Sequence, residues 1–283
     1  MTALRVLLLA ALAPVLSACQ LGQPDPGTPA MIPATTASPP TGRIDEELAV
    51  KKLAPDTYLV VHEPFVAANV LVAKMPDGAV VIASSPMETQ ASRALVAWVK
   101  AALSPTRIVA INTHFHFDGT GGNEAYREAG VTTYASTLTQ RLLAERGAKL
   151  QVESANSFTG TEKDRMLVMK IVPAERTFDE REGMTLSFGA EEVRVVAPGP
   201  GHSPDNVVVF FPARGVLFGG CMIKGSKTVG YIGDADLDHW EAAVDVARAL
   251  APKIVIPGHG PTGGPELFDL TATVVREARA KRP

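Results

Sequence analysis

The chain has 283 residues, of which 46% are apolar and 20% are charged, and its net charge is −3. This length supports a substantial core, and the charge balance gives no indication of nucleic-acid binding. Cys19 and Cys221 are the only cysteines, which excludes a disulfide framework. After the first 18 residues, no apolar run is long enough to cross a membrane.

Residues 1–18 have the pattern of a signal peptide. Arg5 supplies the positive charge, and the apolar stretch 6–16 is too short to be a stable spanning helix. The sequence Leu-Ser-Ala-Cys at 16–19 resembles a bacterial lipobox, in which Cys19 is lipidated and becomes the mature N-terminus. Ordinary secretory cleavage near Ala18 is the alternative.

Lipidation of Cys19 would join the protein to a membrane only through acyl chains. Gln20 rather than Asp follows the cysteine, and by resemblance to known sorting behaviour this indicates the outer membrane. The rest of segment 19–43 is rich in proline among small polar residues, which predicts an extended, solvated tether. The folded domain is expected to comprise residues 44–283.

The first half of the domain alternates strand-like and helix-like segments. β-Branched runs predict three strands, at 57–62, 69–74 and 79–84. Apolar positions at helical spacing predict a helix over 91–103, which ends before Pro105. The segments that follow are predicted to form a buried strand at 107–112 and helices at 121–130 and 136–147.

The second half repeats this pattern. Strands are predicted at 184–189, 191–198, 206–212, 215–220 and 253–258, and helices at 236–251 and 265–280. Strands followed by helices, twice, indicate two similar layers of sheet packed face to face with helices outside. Alternation alone would also suit an open α/β sheet, so the motifs must decide between these folds.

The strongest functional signal is the motif His114-Phe-His116-Phe-Asp118, directly after the strand predicted at 107–112. In an extended chain, residues i, i+2 and i+4 project to the same side, so two imidazoles and a carboxylate converge. These groups are suitable zinc ligands. Gly119 and the glycines after it allow a sharp turn into the next helix.

Three further candidate ligands follow later strands. His202, Cys221 and His259 each lie in a glycine-flanked loop at a strand end. Six ligands fit two metal ions, whereas a single structural zinc would take four and leave no open position. A single histidine after a strand is usually structural, but this combination is difficult to explain in that way. His62 and His239 are assigned no role.

These motifs, together with GHSPDN at 201–206 and PGHG at 257–260, resemble those of the metallo-β-lactamase superfamily, and the resemblance extends over residues 45–280. It implies an αββα sandwich, an α/β (α+β) fold of two mixed β-sheets with helices on the outer faces. It also implies two Zn²⁺ per chain, the first held by His114, His116 and His202 and the second by Asp118, Cys221 and His259.

Two positions indicate the branch. Gly119 stands where glyoxalase II-like, lactonase-like and many nuclease-like members have a second His, and Cys221 stands where they usually have a bridging Asp. A thiolate there marks the cysteine-ligand lactamases, and His114 differs from the Asn of the mono-zinc carbapenemase branch. The chain therefore resembles subclass B1. Four segments resemble its São Paulo-type branch, at 71–79, 117–124, 219–224 and 254–260.

The resemblance also indicates substrate contacts. Lys224 lies three residues after Cys221, and in subclass B1 a Lys at this spacing binds the β-lactam carboxylate. Tyr231 stands where many B1 enzymes have Asn, so an amide contact to the lactam carbonyl is absent. Phe65 lies in segment 62–69, a mobile flap in the family, and is a candidate apolar contact. Ordinary core packing of Phe65 is the alternative.

The implied reaction is hydrolysis of the β-lactam amide bond of penicillins, cephalosporins and carbapenems by a zinc-bound hydroxide, which confers antibiotic resistance. Asp118 would orient the hydroxide and help relay a proton, and Cys221 would be a ligand rather than a nucleophile. Two alternatives are a thioester or lactone hydrolase on the same fold and a non-catalytic zinc-binding lipoprotein. The expected protein is a periplasmic monomer, anchored to the outer membrane.

Overall fold

Two β-sheets form the centre of the fold in the computed structural model, which describes residues 42–282. The first sheet has eight strands in sequence order: β1 (Gly42–Arg43), β2 (Leu48–Ala54), β3 (Thr57–His62), β4 (Ala68–Lys74), β5 (Val80–Ala83), β6 (Ile108–Ile111), β7 (Thr132–Ser136) and β8 (Arg176–Phe178). Strands β1 to β5 pair antiparallel, and β5 to β8 pair parallel. The predicted signal peptide, Cys19 and nearly all of the predicted tether lie outside the described residues.

The second sheet has five strands: β9 (Met184–Phe188), β10 (Glu191–Val196), β11 (Val208–Phe211), β12 (Val216–Gly220) and β13 (Ile254–Pro257). Their order across the sheet is β13-β12-β11-β10-β9, and only the β12–β13 pair is parallel. Because β12 and β13 run in the same direction, with Gly220 opposite Pro257, the residues that follow each strand leave the sheet side by side.

The helical segments are α1 (Pro64–Ala67), α2 (Thr89–Leu103), α3 (Phe117–Thr120), α4 (Asn123–Glu128), α5 (Thr137–Ala155), α6 (Gly160–Val168), α7 (Trp240–Arg248) and α8 (Glu266–Ala280). Segment α1 is a single turn in which Phe65 and Val66 have left-handed backbone angles. Within residues 42–282, no helix is both long enough and apolar enough to span a bilayer.

Burial explains the layers. Apolar side chains of both sheets meet between them, for example Leu71, Phe188 and Phe218. The outer face of the first sheet is covered by α2 and α4, and the outer face of the second by α7 and α8. Each fully buried aromatic side chain in these layers contributes about 1.5–3 kcal/mol through removal of apolar surface from water. The predicted αββα sandwich is therefore confirmed, and the open α/β sheet is excluded.

Helix α5 is longer than its sequence pattern predicts. Gly147 looks like a helix stop but lies inside α5, where it is buried. A Cβ atom there would be 3.3 Å from the side chains of Ile171 and Leu143, so the glycine serves close packing. The extended helix and α6 pack with α1 around a separate apolar cluster that includes Phe65, Phe117 and Met166.

Candidate metal centre

The HxHxD motif forms a tight loop and not an extended strand. His114 and His116 lie between β6 and α3, and Asp118 is in the first turn of α3. The expectation that all three residues project from extended chain is therefore wrong. Asp118 still converges with the imidazoles because the helical turn folds it back. Its Oδ1 atom is 3.4 Å from Nε2 of His114.

Buried polar groups hold this loop. The Asn112 amide donates to the Gly119 carbonyl oxygen at 2.7 Å and to Oδ1 of Asn123 at 2.9 Å. The Ser85 amide nitrogen donates to the Asp118 carbonyl oxygen at 3.2 Å. A Cβ atom at Gly119 would lie 2.4 Å from the His114 carbonyl oxygen. Any side chain at position 119, including a second His, would therefore require a different loop.

Three imidazoles form the first ligand group. Nδ1 of His116 is 3.1 Å from Nε2 of His202, and both rings contact the ring of His114 edge to face. Nε2 of His114 is buried and has no hydrogen-bond partner among residues 42–282. The ring nitrogens of the three imidazoles converge on one point, and this arrangement suits coordination of a metal cation. These residues have the spacing of a metal site.

A thiol, a carboxylate and an imidazole form the second group. Sγ of Cys221 is 2.6 Å from Oδ2 of Asp118, and Nε2 of His259 is 3.3 Å from the same oxygen. Cys221 and His259 reach this point because they follow the parallel strands β12 and β13. A Cβ atom at Gly258 would be 2.5 Å from Sγ of Cys221, so only glycine permits this approach.

The loop that carries His259 is held in place by hydrogen bonds to residues of α1 and β4. Nδ1 of His259 is 3.1 Å from the carbonyl oxygen of Val66, which can only accept a hydrogen bond. Nδ1 therefore carries a proton in this contact, and Nε2 faces Asp118. The Asn69 side chain donates to the carbonyl oxygens of Pro257 and Gly260 at 2.9 and 2.8 Å. No sequence pattern indicates this role of Asn69.

The charges of these groups suit a cation. Burial raises the pKa of the Asp118 carboxyl, but the His114 and His259 imidazoles outweigh it, and the pKa is well below its usual value. Burial also raises the pKa of the Cys221 thiol, yet the same imidazoles bring it below its ordinary value. Burial, followed by the charge of Lys224, lowers the pKa of His202 well below its usual value. A carboxylate, an acidified thiol and a neutral imidazole are metal donors.

Lys224 lies close to this centre in a buried position. Its side chain extends over the ring of Trp240, with Nζ 5.0 Å from the ring centroid, and the residue is only 8% exposed. Burial lowers the pKa of Lys224, while Cys221 and Asp118 oppose this effect. Lys224 forms no ion pair with a carboxylate of residues 42–282. It lines a cavity of about 640 Å³ together with ligands of both groups.

Tyr231 and Phe65 have different environments. Tyr231 is half exposed, lines the cavity and packs its ring on His116, with 5.5 Å between centroids. Phe65 is 3% exposed and packs on His62 and Phe158 instead. Val66 and Ala67 are the residues of segment 62–69 that line the cavity, and Val66 is 63% exposed. The expected Phe65 contact is thus corrected: the left-handed turn directs Phe65 into the core.

The sequence profile of the metallo-beta-lactamase superfamily matches residues 64–259, a span that contains both ligand groups. The chain belongs to the metallo-beta-lactamase superfamily. Its structure is similar to the metallo-beta-lactamase of Hirschia baltica, with 30% identity and a TM-score of 0.66 over 81% of this chain and 98% of that one.

Two further relatives support this membership. The type 2 metallo-beta-lactamase of Bacteroides fragilis is 26% identical over 258 residues, which cover 87% of this chain and 93% of that enzyme. The mono-zinc form of the FIM-1 metallo-beta-lactamase of Pseudomonas aeruginosa has 28% identity and a TM-score of 0.67, over 84% of this chain and 98% of that one. The chain is therefore a superfamily hydrolase with candidate zinc ligands, as the sequence motifs predict.

The two histidines without an assigned role lie outside both ligand groups. His239 is exposed and pairs with Asp236, with 2.8 Å between Nδ1 and Oδ2. His62 is fully buried and accepts the Met87 amide proton at Nδ1. Asp234 is a residue that the sequence interpretation left without a role, although it contacts His116 at 3.0 Å. Its position in the sequence Gly-Asp-Ala at 233–235 does not indicate that contact.

Proposed function

We propose that the protein is a zinc-dependent β-lactamase that hydrolyses the amide bond of penicillins, cephalosporins and carbapenems. The observation that carries this proposal is the joint position of Cys221 and Lys224. Cys221 is in a metal-ligand group, and Lys224, three residues later, lines the same cavity and has no ion-pair partner among residues 42–282. This combination supports subclass B1, and the São Paulo-type sub-branch stays a prediction from sequence.

Two zinc ions fit the donors that are present. His114, His116 and His202 would hold the first, and Asp118, Cys221 and His259 the second. When bound, the ions would supply Lewis acidity at the lactam carbonyl and a water whose pKa is about 7 as nucleophile. The FIM-1 relative has a structure in a mono-zinc form, so the number of zinc ions bound by this chain should be measured.

The residues of the chain would do the rest. Asp118 is ionised and buried, so its carboxylate can accept a proton or hydrogen bond from the attacking water. Lys224 would bind the substrate carboxylate, because its ammonium lacks a carboxylate partner among the described residues. The apolar side chains of Val66 and Phe158 line the same cavity and would contact the rest of the substrate.

Cys221 is not placed to act as a nucleophile. Cys221 is 4% exposed and its sulfur is directed at Asp118, so it acts as a ligand rather than attacking a carbonyl. Tyr231 offers no amide to the lactam carbonyl, and its hydroxyl donates to Asp234 at 3.3 Å. We therefore assign Tyr231 an apolar contact with the substrate through its ring.

We also propose export to the periplasm, with Cys19 lipidated in the outer membrane and a monomeric catalytic domain. The support for export and lipidation is the sequence pattern of residues 1–43, which lie almost entirely outside the described residues. Mass spectrometry of the mature N-terminus tests the lipid directly. A diacylated or triacylated Cys19 is expected, and a mature N-terminus near residue 19 that carries no acyl chain would contradict it.

The decisive experiment is hydrolysis of a carbapenem and a cephalosporin by purified residues 20–283, with and without a zinc chelator. We expect rapid hydrolysis that chelation abolishes and added zinc restores. A folded, zinc-loaded protein that turns over neither substrate, but does hydrolyse a thioester or a lactone, would contradict the proposal. Zinc binding with no turnover of any of these substrates would indicate a non-catalytic protein.

A further inference from the structure

Asp234 is connected to three different parts of the molecule. Its Oδ2 atom lies 3.0 Å from Nε2 of His116 and accepts the Tyr231 hydroxyl at 3.3 Å. Its Oδ1 atom accepts from the Arg146 guanidinium at 3.1 Å. The Asp234 side chain is 14% exposed, so these contacts are largely shielded from water. Both carboxylate oxygens are therefore engaged.

The contact with His116 defines the state of that imidazole. A carboxylate oxygen accepts hydrogen bonds, so Nε2 of His116 carries the proton. The lone pair is then on Nδ1, which faces Nε2 of His202 in the three-imidazole group.

Arg146 brings α5 into this arrangement. The residue lies in α5, whose next turns line the cavity with Leu150, Glu153 and Ser154. Asp234 lies in the loop that leads from Cys221 to α7, and His116 lies in the loop after β6. The Arg146–Asp234 ion pair thus links the α5 wall of the cavity to a metal ligand.

We propose that Asp234 and Arg146 are positioning residues that fix the tautomer and orientation of His116, so that the α5 wall sets the metal affinity of the three-imidazole group. The proposal rests on the metal binding within the proposed function and not on the identity of the substrate. An anionic acceptor on the outer nitrogen of a ligating imidazole makes the inner nitrogen more basic and limits ring rotation.

The magnitudes follow from the contacts. Removal of the carboxylate that supports a ligating histidine weakens metal binding by about 10–100-fold. Arg146 is 48% exposed, so its ion pair with Asp234 is worth less, and loss of the guanidinium should weaken binding by about two- to fivefold. Since Arg146 acts through Asp234, its substitution should have no effect once Asp234 is absent.

The test is a double-mutant cycle on zinc affinity, measured by competition with a chromophoric chelator on purified residues 20–283. The variants are Asp234→Ala, Arg146→Gln and both together. Arg141→Gln is the matched control, because this α5 residue is exposed and forms an ion pair with Glu145 rather than with Asp234. Cobalt(II) substitution gives a second readout, since the thiolate charge-transfer band reports the Cys221 group separately.

We expect the double variant to equal Asp234→Ala, Arg141→Gln to equal the parent, and the weakening to fall on the three-imidazole group while the thiolate band persists. Additive losses, an unchanged Arg146→Gln, or equal losses at both groups would overturn the proposal. If Asp234→Ala does not fold, Asp234→Asn removes the charge and is used in the same cycle. Because no substrate is involved, the result is independent of whether β-lactams are hydrolysed.

Discussion

Among residues 42–282, two clusters of imidazoles and carboxylates have donor atoms spaced as in metal sites. One is the metal centre around Asp118, and the other consists of Glu47, His62 and Glu88. The second cluster contains its own cation, because Arg165 forms ion pairs with both Glu47 and Glu88. At the metal centre, Lys224 is the nearby cation, and it pairs with neither Asp118 nor another described carboxylate.

The other contacts of the second cluster also stabilise the fold. Glu88 caps α2 and accepts the amide protons of Gln90 and Ala91 at 2.7 and 2.6 Å. The Arg165 guanidinium also lies over the ring of Phe65, 5.5 Å from its centroid. Donor spacing alone therefore does not identify a metal site. The metal centre differs because no Lys or Arg of residues 42–282 forms an ion pair with Asp118, so its carboxylate is available to an external cation.

The largest expected effect comes from removing a metal ligand. Cys221→Ala should lower kcat/KM for a β-lactam at least about 100-fold, because the second ion loses a charged ligand. Steady-state kinetics and metal analysis of the purified variant measure this. Met222→Leu is the control, since it conserves volume at the adjacent buried position. Full activity with fewer bound ions in Cys221→Ala would show that the second group is dispensable.

A substitution in the second cluster should lower the free energy of unfolding and leave zinc binding unchanged. Arg165→Met leaves Glu47 and Glu88 without a counter-ion, and we expect a loss of about 2–4 kcal/mol in the free energy of unfolding. Urea denaturation measures this loss. Arg93→Met is the control, because its pair with Glu128 is about half exposed and contributes little. If zinc affinity fell in Arg165→Met as it does in Cys221→Ala, the two clusters would not be separate.

Lys224 tests whether the cation beside the metal centre is reserved for substrate. Lys224→Met should raise KM for a β-lactam by about 10–100-fold, as expected for a lost hydrogen bond to a charged group. The number of bound zinc ions should stay the same. Lys227→Met, on the same loop but exposed, is the matched control. An unchanged KM with fewer bound ions would mean that Lys224 serves the metal centre instead.

The comparison also shows what the sequence revealed. The six candidate ligands could be predicted because each follows an apolar strand within a glycine-rich segment, and parallel strand ends meet at one edge of a sheet. The roles of Asn69, Asp234 and Arg165 could not, because they depend on tertiary contacts with residues more than 70 positions away in the chain.

Local geometry limited the other predictions. The strand periodicity predicts most of the fold, but it does not predict strands β1, β2, β7 and β8 or helix α6, whose patterns are weak. The HxHxD motif was read as extended, although residues 117–120 form a helical turn. Phe65 was ambiguous because periodicity does not report a left-handed turn, and three consecutive non-glycine residues with positive φ occur at 65–67.

The smallest expected effect is a pH dependence that separates the clusters. In the folded protein, Arg165 lowers the pKa of Glu47, and burial lowers the pKa of His62. In acid, the unfolded chain therefore binds more protons than the folded protein. The contribution of His62 to the free energy of unfolding is complete above about pH 6.5 and falls below it, and that of Glu47 is complete above about pH 4.3 and falls below it. The guanidinium is the cause for Glu47, so Arg165→Met removes that contribution.

We therefore expect the difference in Tm between the parent protein and Arg165→Met to be constant above about pH 5 and to shrink as the pH falls through about 4.3 and below. Thermal denaturation in the presence of a chelator measures it, because the metal ligands then titrate in the same way in both proteins and cancel in the difference. Arg93→Met supplies the baseline for a half-exposed pair. A Tm difference that does not shrink in acid would mean that Arg165 stabilises the fold through its packing on Phe65 rather than through charge.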